Sequence, residues 1–191
     1  MRAAFLYLIV LALGAACSES PEPEVEKSLK SNTERHREMV KTIDSLELLV
    51  YSDEADMKSP ATGDLLQNYL KFAKMFPGDK ERSPQYLYKA AAVSRANKLG
   101  VKAVKLYSEI LQKYPNYIKA PEVAFLLAFT YDEDLKQKDE AKKAYRDVIE
   151  KYPGDKCAKQ AEERLKNIDM SDEELIEKFM EKNQGAGETE S

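Results

Sequence analysis

Apolar side chains recur along this chain at helical spacing, and one pattern of them is written three times. Leu65, Tyr69, Phe72, Ala73 and Phe76 form the first set. Ala103, Tyr107, Ile110, Leu111 and Tyr114 form the second, and Ala141, Tyr145, Val148, Ile149 and Tyr152 the third. The later two sets run i, i+4, i+7, i+8, i+11, and the first follows the same register from Leu65, giving one apolar face of a helix of about three turns. Phe76-Pro77, Tyr114-Pro115 and Tyr152-Pro153 close the sets at a constant period of 38 residues. Proline ends each helix, because the residue before it is pushed out of the α region.

A second helix is expected ahead of each of the later two sets. Ser83-Pro84 reads as N-cap and first helical residue of a segment carrying Leu87, Tyr88, Ala91, Ala92 and Val93 that runs to the region of Gly100. Ala120-Pro121 opens the next, in which Ala124, Phe125, Leu127, Ala128, Phe129 and Tyr131 are apolar on most faces, as suits a helix held between neighbours. Helix pairs repeated in this way bury their apolar faces only by stacking on one another. The expected fold is therefore all-α, a solenoid of helix-turn-helix repeats over residues 63–168.

The flanks read as caps. Met39, Ile43, Leu46 and Val50 mark an amphipathic helix at 32–51, inside an N-terminal segment 32–62 whose loop begins at Ser52 and reaches Gly63. Cys157, Ala161, Leu165 and Ile168 stripe a closing helix after the last Pro, and Ser171-x-x-Glu174 is a capping box. It opens a capping helix within 169–183, with Leu175 and Phe179 facing inward. Residues 184–191 are expected to be a disordered tail.

The first residues read as an address. Arg2 and the apolar run 3–16 form a secretory signal too short to cross a bilayer permanently. The run ends in Leu13-Gly14-Ala15-Ala16-Cys17, which resembles the lipobox of bacterial lipoproteins, with Gly14 where the usual Leu stands. That resemblance implies cleavage after residue 16 and lipidation of Cys17; a plain signal peptide cut after Ala16 also fits the small-x-small rule. Residues 17–31 then form an acidic tether. From Ser18 to Glu26 it carries Glu19, Glu22, Glu24 and Glu26 with Pro21 and Pro23, so this stretch is expected neither to pack nor to form a regular helix and to extend as a solvated tether. The acidic stretch reads as a spacer, or as the surface-export signal that it resembles in Bacteroidetes lipoproteins. Cys157 is then a lone thiol, either buried or paired with another chain.

Composition narrows the chemistry. Of 191 residues, 34% are charged and 43% hydrophobic, and the net charge of −4 lacks the basic footprint of a nucleic-acid binder. His36 has no second His at zinc-helix spacing and reads as an exposed surface residue. Asp132-Glu133-Asp134 begins an acidic turn, yet Gln137 and Lys143 stand where a calcium loop needs Gly and Glu, so a solvated helix terminus is expected. Nucleophile-elbow, phosphate-loop and dinucleotide motifs do not occur in the sequence. The reading is a non-enzyme with no cofactor, no metal and no small-molecule substrate.

The repeats resemble the tetratricopeptide repeat. Its small residues at the helix crossing, the aromatic four positions later and the closing Pro match Ala91, Ala103, Tyr107 and Pro115, then Ala128, Ala141, Tyr145 and Pro153. The period is longer than the usual value of about 34, the chain has no Trp, and Leu65 replaces the small residue in the first repeat. Longer repeats closed by Tyr-Pro are similar to those of envelope lipoproteins of the BamD-like outer-membrane assembly and Tol-Pal-associated types. The resemblance implies a partner groove lined by Gln85, Tyr88, Ala92 and Arg95, then Glu122, Phe125, Phe129 and Asp132. These residues would take a protein or peptide of the bacterial cell envelope, on a chain held at the outer membrane by its lipid and facing the periplasm or the surface. The alternative is a structural subunit of an envelope complex contacted along its edges, with those rings packed inside the solenoid.

Overall fold

The computed structural model describes residues 24–52, 59–171, 173, 174, 176–178 and 180. Among them run the α-helices α1 Glu24–Val50, α2 Pro60–Met75, α3 Arg82–Ala96, α4 Gly100–Lys113, α5 Ala120–Phe129, α6 Lys138–Lys151 and α7 Lys156–Asn167, those from α2 on joined by short turns. The chain divides into two units, Met1–Arg35 and His36–Ser191. In the first, residues 24–35 are helical and Thr33 Oγ1 donates to the Leu29 carbonyl at 3.0 Å. The second holds the solenoid, in which each helix from α2 to α7 packs against the next. The fold is the expected all-α solenoid.

The closing aromatics are structurally equivalent. Phe76, Tyr114 and Tyr152 are C-caps with φ of −124°, −131° and −128°, and their N–H groups bond the carbonyls of Phe72, Ile110 and Val148. The Pro that follows each cannot continue the helix. A tight turn comes next in all three: the N–H of Asp79, Tyr117 and Asp155 returns to the carbonyl of the preceding aromatic at 3.0–3.1 Å. Gly154 takes a φ of +84°, which only Gly adopts without strain. Leu65, Tyr69 and Phe72, then Ala103, Tyr107 and Ile110, then Ala141, Tyr145 and Val148 are each fully buried, as the triplicated pattern requires.

Several expectations change. The first helix starts at Glu24, within the stretch read as a tether, because Pro23 is the last residue that opposes a helix and the residues after it are helix formers. Helix α2 begins at Pro60, ahead of the expected end of the loop at Gly63. Ser83 is not an N-cap: α3 already starts at Arg82, and the buried Ser83 hydroxyl donates to the Phe76 carbonyl at 2.7 Å, tying one repeat to the close of the previous one. Asp79 does the capping instead, its Oδ1 accepting from the N–H of Arg82 at 2.8 Å and of Glu81 at 3.2 Å. Helix α3 ends at Ala96, and Gly100 opens α4 where an added Cβ would lie 2.9 Å from Leu135 Cδ2.

Helix α5 runs directly into a π-turn, Thr130–Asp134, in which the Leu135 N–H bonds the Thr130 carbonyl five residues back at 3.0 Å. Its cause is register. Pro77 to Pro84 spans seven residues, whereas Pro115 to Pro121 spans six; Pro84 to Ala103 spans nineteen, whereas Pro121 to Ala141 spans twenty. The loop is one residue shorter and the helix one longer, so the 38-residue period survives. In an α-helix the extra residue would rotate all that follows by about 100°. A π-turn absorbs it as a bulge and leaves the flanking faces in register.

Candidate functional site

Helices α3, α5 and α7 stand in the same place in successive repeats, each following an aromatic-Pro close. Gln85 and Ala92 of α3 are exposed; Tyr88, Arg95, Glu122, Phe125, Phe129 and Asp132 are partly buried. The rings of Phe125 and Phe129 lie 6.2 Å apart and stack at 30°, with Phe125 also 5.8 Å from Tyr145. A cleft of about 380 Å³ opens beside them, lined by Phe125, Phe129, Gln160, Glu163, Arg164 and Asn167. Gln160, Glu163, Arg164 and Asn167 belong to α7, so the helix expected to close the array also lines the cleft. The signal was present: Tyr152-Pro153 precedes α7 as Tyr114-Pro115 precedes α5.

Charge on this face is tied up between repeats. Glu47 of α1 accepts from both the Tyr69 hydroxyl and Lys89 Nζ at 2.7 Å. Tyr88 donates to Glu122 at 2.7 Å, and Lys119 Nζ stands 4.7 Å over the Tyr88 ring. Burial, then the bond to Glu122, raises the Tyr88 hydroxyl well above the ordinary tyrosine range. Arg95 and Arg164 place their guanidinium groups 4.9 and 4.8 Å from the Phe129 ring centre, a cation–ring–cation arrangement across α3, α5 and α7.

The acidic turn is not a solvated terminus. Asp132 accepts from the Tyr145 hydroxyl at 3.2 Å, Glu133 from Arg164 at 2.7 Å, and Asp134 from Arg95 Nε at 2.6 Å. Three consecutive carboxylates therefore reach α6, α7 and α3. Hydrogen bonding by Lys136, against some burial and with help from Arg164, holds the Glu133 carboxyl below its usual range, and the bond to Asp134 raises Arg95 further.

His36 is also not exposed on the surface as expected. It is half-buried, packs edge-on at 5.0 Å from Phe72 and 4.8 Å from Phe76, and shares a 3.0 Å hydrogen bond with Asp79. Cys157 is buried, on the expected stripe with Ala161 and Ile168, and burial first, then Asp155, pushes its thiol up to about 11. Such a thiol is a poor nucleophile at neutral pH. Cys17, residues 1–16, Leu175 and Phe179 lie outside the described residues. The expected capping box is formed, with Ser171 N–H to Glu174 Oε2 at 2.7 Å and Glu174 N–H to Ser171 Oγ at 3.2 Å. Among the described residues no group of three or more His, Cys, Asp and Glu could hold a metal ion, and no helix is long and apolar enough to cross a membrane.

Residues 122–155 match the tetratricopeptide repeat family. That stretch runs from Glu122 of α5 through the π-turn and α6 to Asp155. No curated protein matches the chain. Tetratricopeptide repeats commonly mediate protein–protein interaction, and the all-helical fold they build is typically non-catalytic.

Proposed function

We propose that this chain is a non-catalytic adaptor or scaffold of the bacterial cell envelope, lipid-anchored through Cys17, whose solenoid takes a protein or peptide segment along the face of α3, α5 and α7. The observation that carries this reading is the half-buried Phe125–Phe129 pair beside an open cleft, since aromatic pairs of that kind anchor partners. The anchor rests on the lipobox-like Leu13-Gly14-Ala15-Ala16-Cys17 and the acidic residues after it. Crosslinking in the native envelope tests the groove. Phe125→Ala combined with Phe129→Ala keeps a cooperative melt within a few degrees of wild type and loses the crosslinked partner. A collapsed melt assigns both rings to the core.

One observation favours the second reading, a structural subunit of an outer-membrane assembly or Tol-Pal-type complex. Arg95, Arg164, Lys89 and Glu122 already have partners within the solenoid, and Phe129 carries a cation near its ring on two counts. Contact along the edges leaves these ties intact. A stable stoichiometric complex that survives the double Phe variant supports this second reading. The anchor has its own test: Cys17→Ser leaves the protein uncleaved or released, whereas wild type partitions into detergent, because each buried methylene of an acyl chain contributes about 0.8 kcal/mol. Wild type recovered free of lipid overturns it.

A further inference from the structure

Two successive junctions of the solenoid are built from the same side chains in exchanged places. Where α2, α3 and α4 meet, Ala73, Leu87, Ala90 and Leu106 are all buried. Counted through the shorter Pro115–Pro121 loop, the corresponding positions of α4, α5 and α6 hold Leu111, Ala124, Leu127 and Ala144, each Ala replaced by Leu and each Leu by Ala. Burial changes with the exchange. Ala124 stays buried, but Leu111, Leu127 and Ala144 are partly exposed and line a cleft of about 450 Å³ that Tyr152 also borders.

The turn at this junction departs from the other two as well. Ile118 stands where Lys80 and Lys156 follow the other aromatic-Pro closes, and it is 87% exposed. Pro115, three residues earlier, lines the cleft. An exposed apolar patch rimmed by polar residues marks an interaction surface. Here the rim includes Asp147 and Lys151, which lie one turn apart on α6. Both are exposed, and neither side chain has an ion pair or hydrogen bond among the described residues.

We propose that this cleft is one half of a twofold interface with a second copy of the chain. Two α6 helices set antiparallel about an axis between residues 147 and 151 bring Asp147 of each copy to Lys151 of the other, so the rim is complementary to itself. A partner of uniform charge would meet one attractive and one repulsive group on the same rim. The antiparallel setting lays the turn of one copy over the Ala144 end of the other's cleft, and Ile118 fills it against Leu111 and Leu127. The cleft shares no residue with the one beside Phe125 and Phe129, so the pairing does not draw on that face.

Sedimentation equilibrium of the full chain tests the interface at concentrations up to about 1 mM, the order that tethered modules reach. Wild type is expected to form a reversible dimer. Asp147→Lys and Lys151→Asp each put like charges across the axis and raise the dissociation constant about tenfold or more, while the two variants mixed in equal amounts pair as wild type does. Ile118→Lys, with the residue of the other two turns, also weakens the dimer and, at an exposed position, keeps the wild-type melt. Wild type that stays monomeric at every concentration overturns the proposal. So does a dimer that either Asp147→Lys or Ile118→Lys leaves unchanged, which would put the contact on another face, and so does a mixture of the two charge variants that pairs no better than each alone.

Discussion

At Asp79, three obligations meet on one carboxylate. It caps α3 through the N–H groups of Glu81 and Arg82, bonds His36, and lies 3.7 Å from the Arg82 guanidinium. Burial works to raise its carboxyl, but the Arg82 amide, His36 and the Glu81 amide outweigh it, so the group stays below its ordinary value near 4. A carboxylate lowered on folding contributes stability that is present above its unfolded pKa and is lost as pH falls through the folded one. Asp79→Ala is expected to cost about 0.5–2 kcal/mol at neutral pH, the usual range for a lost cap. The cost shrinks below about pH 4, where wild type loses the same interactions. Thermal melts from pH 7 to pH 2 check this, and parallel curves for the two proteins would refute it. The capping role is legible in the sequence, because Asp79 follows Phe76-Pro77-Gly78 as Asp155 follows Tyr152-Pro153-Gly154. The bond to His36 is not: it spans 43 residues, and nothing in Glu34-Arg35-His36-Arg37-Glu38 points to a distant carboxylate.

At the scale of elements, Ala103 and Ala141 are fully buried at equivalent positions of α4 and α6. A larger side chain there has nowhere to go. Ala141→Leu is expected to overpack the crossing by about 1–3 kcal/mol, whereas Leu at the exposed Lys143 changes little. Equal melting midpoints for the two variants would mean that the repeat register is wrong. Proline and buried aromatics made this register readable, since each acts through local sterics or simple periodicity. The π-turn leaves only a shift of spacing in the sequence, one residue fewer between Pro115 and Pro121 and one more before Ala141, hidden by the constant 38-residue period. The fan of carboxylates that follows depends on where that bulge points, which is decided by packing and not by composition. The same holds for the candidate groove. Its α3 and α5 residues follow from repeat position, while Gln160, Glu163, Arg164 and Asn167 emerge only once α7 is seen in the place of a further repeat helix.

At the scale of the whole solenoid, most of the buried apolar side chains among the described residues fall into two clusters, and α5 takes part in both. Val123 belongs to the first, with Tyr69, Phe72, Tyr107 and Ile110; Ala124 and Ala128 belong to the second, with Tyr145, Val148 and Ala161. Among the described residues, the partly buried Leu111 packs against both clusters. Repeat arrays draw their cooperativity from such interfaces, because each unit is stabilised chiefly by its neighbours. Leu111→Ala is therefore expected to do more than remove methyl groups. Its cost falls at or below the lower end of the roughly 2–5 kcal/mol of a fully buried Leu, since the side chain is only half enclosed. The weakened seam lets the second cluster melt ahead of the first. Differential scanning calorimetry reads this directly: in wild type the calorimetric and van't Hoff enthalpies agree, and in Leu111→Ala the calorimetric value exceeds the van't Hoff value as the transition broadens. A variant that melts lower but stays two-state would show that α5 alone couples the clusters, with Leu111 contributing only its own burial.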